Sequence, residues 1–525
     1  MVPKSHFLCQ LPPGGSYLRP TGARGLKARN FIIQPLNNNF PYPFIWDLSR
    51  SLVDNNGYTS TLRFWVLSAI LGKEVNILMQ NDRLSPRRQL FSLTWPIFLE
   101  SVLFSIIGSV DTLMLSGYAD DAVGAVGVAN SIMSLFQVIS NIITAGTGIL
   151  CAQYIGAGKT TKEKQPLILG ALMVNGILGI VFSLAVGLGA PWLLKLMGVE
   201  EAQFGYAQQY LSLVGSFLFV QMVAVTMSSL IRAHGKTKAS MVFSLAMNAI
   251  NMGLNYVLIY GHLGLPVLGA QGAAIATVVS KCLMCVAAAI FLFRFVLPDM
   301  SFRPNWKAMR PAMGQILAIG SPAAGEQISY TLSKLVVMAM VTSLGNVALN
   351  TYSYVNIVVS YVYLFSMAIG QGTSIMVGWE AGKRQVSKAK SICRFSTNAS
   401  TLFAIGALGI LCLMRRPLMD LFTDDNAIIT MGAAVILSDF VLELGRSRNL
   451  VLVNSLRAAG DVRYPLYIGL FSMWFFSVGI SWVLGIGLGW GLVGIWIGLG
   501  LDECFRAVLL QIRWEKEKWT NFVKV

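Results

Sequence analysis

From residue 83 onward the chain is a succession of apolar runs of helical length, separated by short polar segments. A membrane-crossing helix needs about 20 mostly apolar residues. The pattern predicts twelve: 90–116, 123–150, 167–190, 204–230, 240–261 and 269–295, then 313–341, 349–376, 395–414, 428–455, 464–484 and 488–511. Residues 1–82 break the pattern, being rich in Pro, Gly and Asn, with one apolar run (62–71) too short to cross. They read as a disordered or peripheral extension, and Met79 offers an alternative start. The expected layout is an all-α protein with an N-lobe over 83–296, a linker over 297–312, a C-lobe over 313–512 and a tail over 513–525.

The connecting segments alternate in charge. Arg83, Arg87 and Arg88 precede the first span; Lys159, Lys162 and Lys164, then Arg232, Lys236 and Lys238, fill the second and fourth loops. Arg303, Lys307 and Arg310 occupy the linker, and Lys383, Arg384, Lys388 and Lys390 follow the eighth span. The opposite loops are neutral or acidic, with Asp120, Asp121, Glu200, Glu201, Asp424 and Asp425; Arg415-Arg416 is the main exception. By the positive-inside rule both termini are expected in the cytoplasm, the protein lying in the cell membrane. Trp514 and Trp519, beside Lys516 and Lys518, read as an interfacial anchor.

Composition agrees with the pattern. Hydrophobic residues make up 55% of the 525 and charged ones 12%, with mean hydropathy +0.62; soluble domains average about 25% charged. The net charge of +16 would suggest nucleic acid in a soluble chain, but here the basic loops account for it and no nucleic-acid partner is expected. Cys282 and Cys285 have CxxC spacing inside a span without further ligands, the reading being small apolar residues on a buried helix. Gly156-Ala-Gly158-Lys159-Thr160 imitates the end of a phosphate-binding loop, but Gln153 stands where its first glycine belongs. With no nucleotide-binding domain, nothing driven by nucleotide hydrolysis is expected, nor an enzyme, nor a cofactor beyond a coupling ion (H⁺ or Na⁺).

The two halves repeat. At an offset of 226, Pro96 and Glu100 meet Pro322 and Glu326, Asn130 meets Asn356, Gly146-Thr147 meets Gly372-Thr373, and Gly156 meets Gly382. At an offset of 225, Arg232-Ala233 recurs as Arg457-Ala458. Six spans per repeat is an even number, so both halves insert the same way round. Parallel repeats of this kind are a transporter signature, with the substrate site between them.

Charges inside spans are costly, roughly 2.5–3.5 kcal/mol for a mid-span carboxylate, and mark sites by default. Glu100 and Asp111 stand 11 residues apart on one face of the first span, roughly 16 Å along its axis. They are either satisfied packing residues or binders of a proton or cation. Asp111 has Val337 as its repeat counterpart, so this carboxylate belongs to the N-lobe alone. Asn248, Asn251 and Asn255 form one stripe on the fifth span, for packing hydrogen bonds or for ion coordination. In the C-lobe, Glu326 and Lys334 lie on the seventh span, and Asp439, Glu443 and Arg446 share a face of the tenth. A structural ion pair and a transport role both remain open there. Pro96 and Pro322 are candidate hinges.

The segments PIFLESVLFSIIGSVDTLMLSGYADDAVGAVGVANSI, GTGILCAQYIGAGKTTKEKQ, SLIRAHGKTK and NSLRAAGDVRYP resemble the multidrug and toxic compound extrusion (MATE) transporters, over roughly residues 85–515. The resemblance implies two six-helix lobes around a V-shaped cavity, acting as a monomer that exports organic, often cationic, compounds in exchange for H⁺ or Na⁺. It makes Asp111 the first-helix cation-binding aspartate, with Asn251 and Thr277 as its partners on the fifth and sixth helices. Asn255 stands where the DinF-type branch has an Asp, as in the NorM-type branch. NorM-type members also use carboxylates on helices seven and ten; Glu326 and Glu443 are the nearest candidates, with Asp439 beside them, while Arg446 occupies the expected Asp position. A lipid-linked precursor flippase, or an exporter of flavins or other metabolites, is the alternative within the wider superfamily.

Overall fold

A computed structural model describes residues 85–525, apart from the side chains of 106–109 and 111; the expectation for residues 1–82 falls outside the described residues. The described chain is helical, with no strand among those residues. The N-lobe comprises α1 (Pro86–Ser116), α2 (Asp120–Gly156), α3 (Thr161–Leu196), α4 (Glu201–Ser216), α5 (Leu218–Ala233), α6 (Thr237–Tyr260) and α7 (Gly269–Phe291). The C-lobe comprises α8 (Trp306–Ser343), α9 (Asn346–Gly382), α10 (Val386–Leu413), the short α11 (Arg415–Asp420), α12 (Asn426–Ala458), α13 (Arg463–Ser472) and α14 (Gly491–Glu515).

Eight helical segments cross by length and composition, or nine with α4 and α5 taken as one bent span. At 31, 38 and 25 residues, α1, α8 and α14 also have the length to span, giving the twelve columns of the sequence pattern. The fourth expected span is not straight: α4 and α5 meet at a 51° bend around Phe217. A break frees backbone donors that lipid cannot satisfy. Ser183 on α3 meets one of them, its Oγ accepting from the Phe219 N–H at 3.0 Å. The eleventh span continues past α13 through widened turns at Met473–Ile480 and Val483–Gly487.

Pro96 lies inside α1 and has no N–H to give the carbonyl of Ser92, four residues back. Thr237 at the start of α6 reaches that carbonyl through its Oγ1 at 3.5 Å. The helix is therefore tied to a neighbour at the very point where its own ladder is open.

The lobes are joined at the basic-loop end. Gln153 on α2, fully buried, donates through Nε2 to the Ala458 carbonyl at 2.7 Å, and its Oε1 accepts from the Lys524 N–H at 3.0 Å. Trp379 Nε1 donates to Ala233 O at 2.9 Å, and the Tyr154 hydroxyl to Gln315 at 3.2 Å. Glycine permits the approach: a Cβ on Gly156 would strike the Trp379 carbonyl, and one on Gly382 the Gln153 carbonyl. Toward the acidic-loop end the same face of α2 is open, Leu135 being 67% exposed while Gln153 is sealed. The cleft between the lobes therefore opens away from the basic loops.

Trp514 and Trp519 correct an expectation. Both are only 1% exposed and stack at 4.6 Å within the C-lobe core, so they are packing residues rather than an interfacial anchor. Their bulk seats the tail, and Arg384 holds its last carbonyl, at Val525, at 3.0 Å.

Candidate functional site

The N-lobe polar centre lies between α6 and α7. Asn248, Asn251 and Asn255 are all buried, on the side of α6 turned into the lobe. Asn251 Nδ2 donates to Thr277 Oγ1 at 3.4 Å, and Asn255 Nδ2 to Asn251 Oδ1 at 3.3 Å. The three residues named by the resemblance are thus one connected group. Asp111 lies on α1, and its side chain is outside the described residues. The C-terminal end of that helix is fixed to α6, because the Tyr260 hydroxyl donates to the Met114 carbonyl at 2.6 Å. Carbonyl and hydroxyl oxygens of this kind suit a small hard cation as well as hydrogen bonds.

Glu100 and Glu326 have the same role in each half. Glu326 on α8 pairs with Arg457 at the end of α12 at 2.6 Å. Glu100 on α1 faces Arg232 at the end of α5 at 3.8 Å, and takes a 2.7 Å hydrogen bond from Ser244 Oγ. Ser244 corresponds at the 225-residue offset to Gly469, which packs against the Glu326 side chain. The glycine lets Arg457 hold the glutamate alone, whereas in the N-lobe the serine draws the carboxylate away from its arginine. The structure supplies each with an arginine, so both read as lobe-internal clamps, placed apart from the Asn251–Thr277 centre.

The C-lobe holds a larger charged cluster. Asp439 is fully buried and accepts from Trp496 Nε1 at 2.8 Å. Glu443 pairs with Arg446 at 2.5 Å, and Arg446 Nε stands 3.7 Å from Glu503. Arg506 bridges Asp502 and Glu503 at 2.8 and 3.0 Å. Asn449 and Ser477 donate to Glu503 and Asp502 at 2.6 and 2.7 Å. Lys334, Arg446, Asp502 and Glu503 line a cavity of about 10 Å³, barely room for one water. Arg448, in contrast, stands apart and exposed. Arg446 and Arg506 thus already pair with these carboxylates.

Sequence reading overlooked half of this cluster. Its signal was the run Leu501-Asp502-Glu503-Cys504-Phe505-Arg506, two acids and a base one turn apart inside a span. It also passed over Lys281 on α7, whose Nζ donates to Gln221 Oε1 at 2.7 Å.

Two matching copies of the family model MatE fall on residues 96–257 and 322–483, the two halves at the offset of the internal repeat. The chain belongs to the MatE family. An uncharacterized transporter of Bacillus subtilis, YisQ, is 35% identical over 82% of this chain and 94% of its own length. The probable multidrug resistance protein NorM of Thermotoga maritima is 25% identical over 85% and 95%. A solved outward-facing multidrug resistance MATE transporter superposes with a TM-score of 0.75 at 18% identity, covering 84% of this chain and 98% of its own. At that identity the likeness speaks for the fold alone. Membership in MatE makes the protein a multi-pass membrane transporter rather than an enzyme.

Proposed function

We propose that this MatE protein exports organic compounds, drugs or metabolites, in exchange for H⁺ or Na⁺, by alternating access between its two lobes. Asp111, Asn251, Asn255 and Thr277 form the coupling site, and the basic-loop end faces the cytoplasm. The observation that carries the reading is the connected Asn255–Asn251–Thr277 group, present on one lobe beside the helix that bears Asp111. A carboxylate in low-dielectric surroundings gains from being neutralised by a proton or a cation. Occupation then favours one lobe arrangement over the other, and only such a difference in affinity can drive export. Pro96 and Pro322 supply bending points on the paired helices α1 and α8.

The test is Asp111→Asn in everted vesicles, compared in Na⁺-free and Na⁺-rich buffer. Gradient-driven transport is expected to vanish while the purified protein still folds. Retained transport removes Asp111 from the coupling step. A susceptibility panel in an efflux-deficient host, with ethidium, norfloxacin and flavins, separates drug from metabolite export.

A further inference from the structure

Lys281 has no acidic partner among the described residues, although it lies in the middle of a spanning helix. A charged side chain at such a depth is rare and needs a reason. Its single hydrogen bond opens a directed chain. Lys281 Nζ donates to Gln221 Oε1 at 2.7 Å, and Gln221 Nε2 donates to Gln137 Oε1 at 2.9 Å. Gln137 Nε2 then donates to Asn141 Oδ1 at 3.4 Å. Each amide receives at its oxygen and gives from its nitrogen, so the polarisation adds along the row. The row runs from α7 through α5 to α2 and ends on the exposed Asn141.

Asn141 adjoins Ile142, whose backbone packs against Gly320 of the C-lobe. Consecutive residues of a helix are turned about 100° from each other, so the relay ends at the depth of that contact, on a neighbouring face of α2. There it presents the Asn141 Nδ2 group, which makes no hydrogen bond among the described residues. A polarised N–H pair backed by a fixed positive charge attracts anions and repels cations.

We propose that Lys281, Gln221, Gln137 and Asn141 form an anion-recognition relay at the floor of the cleft, binding a carboxylate or phosphate group of the transported compound. This rests on the reading that the cleft is the substrate's route. It adds that cargo carries an anionic group, alone or in a zwitterion, and that a purely cationic compound is disfavoured in the N-lobe.

Two xanthene dyes of similar shape and opposite charge test it: carboxyfluorescein and rhodamine 123. Binding to the purified protein is read by fluorescence anisotropy, and gradient-driven transport in everted vesicles is measured separately. The wild type is expected to bind carboxyfluorescein more tightly than rhodamine 123. Lys281→Met should weaken carboxyfluorescein binding about tenfold or more, the scale of one unit charge acting in low-dielectric surroundings. Gln221→Glu keeps the lysine but gives it a carboxylate neighbour, and should produce the same loss in a protein whose fold is protected by the new ion pair.

Carboxyfluorescein binding unchanged in both variants overturns the proposal, as does a wild type that prefers rhodamine 123 or binds neither dye. Anion binding lost in the variants, but without dye movement under any gradient, supports the relay and counts against the antiport reading instead.

Discussion

Gln153→Met tests how the sealed end is held. The side chain keeps its length and loses both polar atoms, so packing is largely retained. Two hydrogen bonds disappear, one to the Ala458 carbonyl at 2.7 Å and one from the Lys524 N–H at 3.0 Å. When the lobes part, all these groups return to water, so the net value of about 0.5–1.5 kcal/mol per bond applies. Together they amount to about 1–3 kcal/mol, a shift of roughly 5- to 150-fold in the sealed-to-open ratio. In the sealed state of the variant the Ala458 carbonyl and the Lys524 N–H also stay buried without these partners, which pushes the shift toward the upper value. Spin labels on Lys159→Cys and Lys388→Cys, in an otherwise cysteine-free protein, report the separation of the lobes by pulsed electron resonance. A longer-distance population is expected to grow in Gln153→Met. An unchanged distance distribution in a folded variant would mean that Gln153 does not hold this end closed.

Gly156→Leu places a side chain against the Trp379 carbonyl and should keep the basic-loop end open, abolishing transport while thermal unfolding in detergent still shows a folded protein. Arg457→Met leaves Glu326 buried without the partner now at 2.6 Å; breaking such a pair costs about 3–5 kcal/mol, seen as a lower Tm, and adding Glu326→Gln should restore most of it. His234, at the basic-loop end, is held down to about 4 by burial, with Lys164 and Lys236 adding repulsion, while the Leu230 carbonyl opposes the shift. A depressed histidine leaves stability intact above its unfolded value near 6.5. As pH falls from there through 4 the unfolded chain takes up the proton first and stability declines, so His234→Gln should flatten the pH dependence of Tm between 6.5 and 4.

Much of the fold could be read from periodicity because a bilayer enforces it. Spanning segments must be helical and apolar, so their number and the alternation of basic loops survive in a single sequence. The repeat was legible for a related reason: Pro96 with Pro322 and Gly156 with Gly382 sit where backbone geometry tolerates few replacements. What stayed hidden depends on distance in three dimensions. The partners Glu100 and Arg232 lie far apart in the chain, as do Glu326 and Arg457, and no spacing rule pairs them. The bend at Phe217 left no proline to announce it. Trp514 and Trp519 looked interfacial because tryptophan beside lysine usually is; the tail instead folds back, and their rings fill the core. In the candidate site, Asn251 and Thr277 could be named through the family pattern, whereas their hydrogen bond required the structure.

The two halves share an ancestry of pattern and divide the chemistry. The C-lobe answers its buried carboxylates with its own bases, Arg446 and Arg506, beside a cavity too small for cargo. Moving an ion into that cluster would mean displacing an arginine already anchored at 2.5–3.0 Å, and leaving its charge unpaired in a low-dielectric interior is strongly unfavourable. The N-lobe instead surrounds the Asp111 helix with amides and a hydroxyl, groups that can exchange one partner for another at small cost. Its glutamate clamp is also looser, 3.8 Å against 2.6 Å, because Ser244 competes with Arg232 where the C-lobe has only Gly469. A lobe that must alternate between ion-bound and ion-free states needs interchangeable partners, and a lobe that serves as the fixed counterpart needs the opposite. On the proposed coupling, this division of charge assigns ion exchange to the N-lobe and the fixed counterpart to the C-lobe.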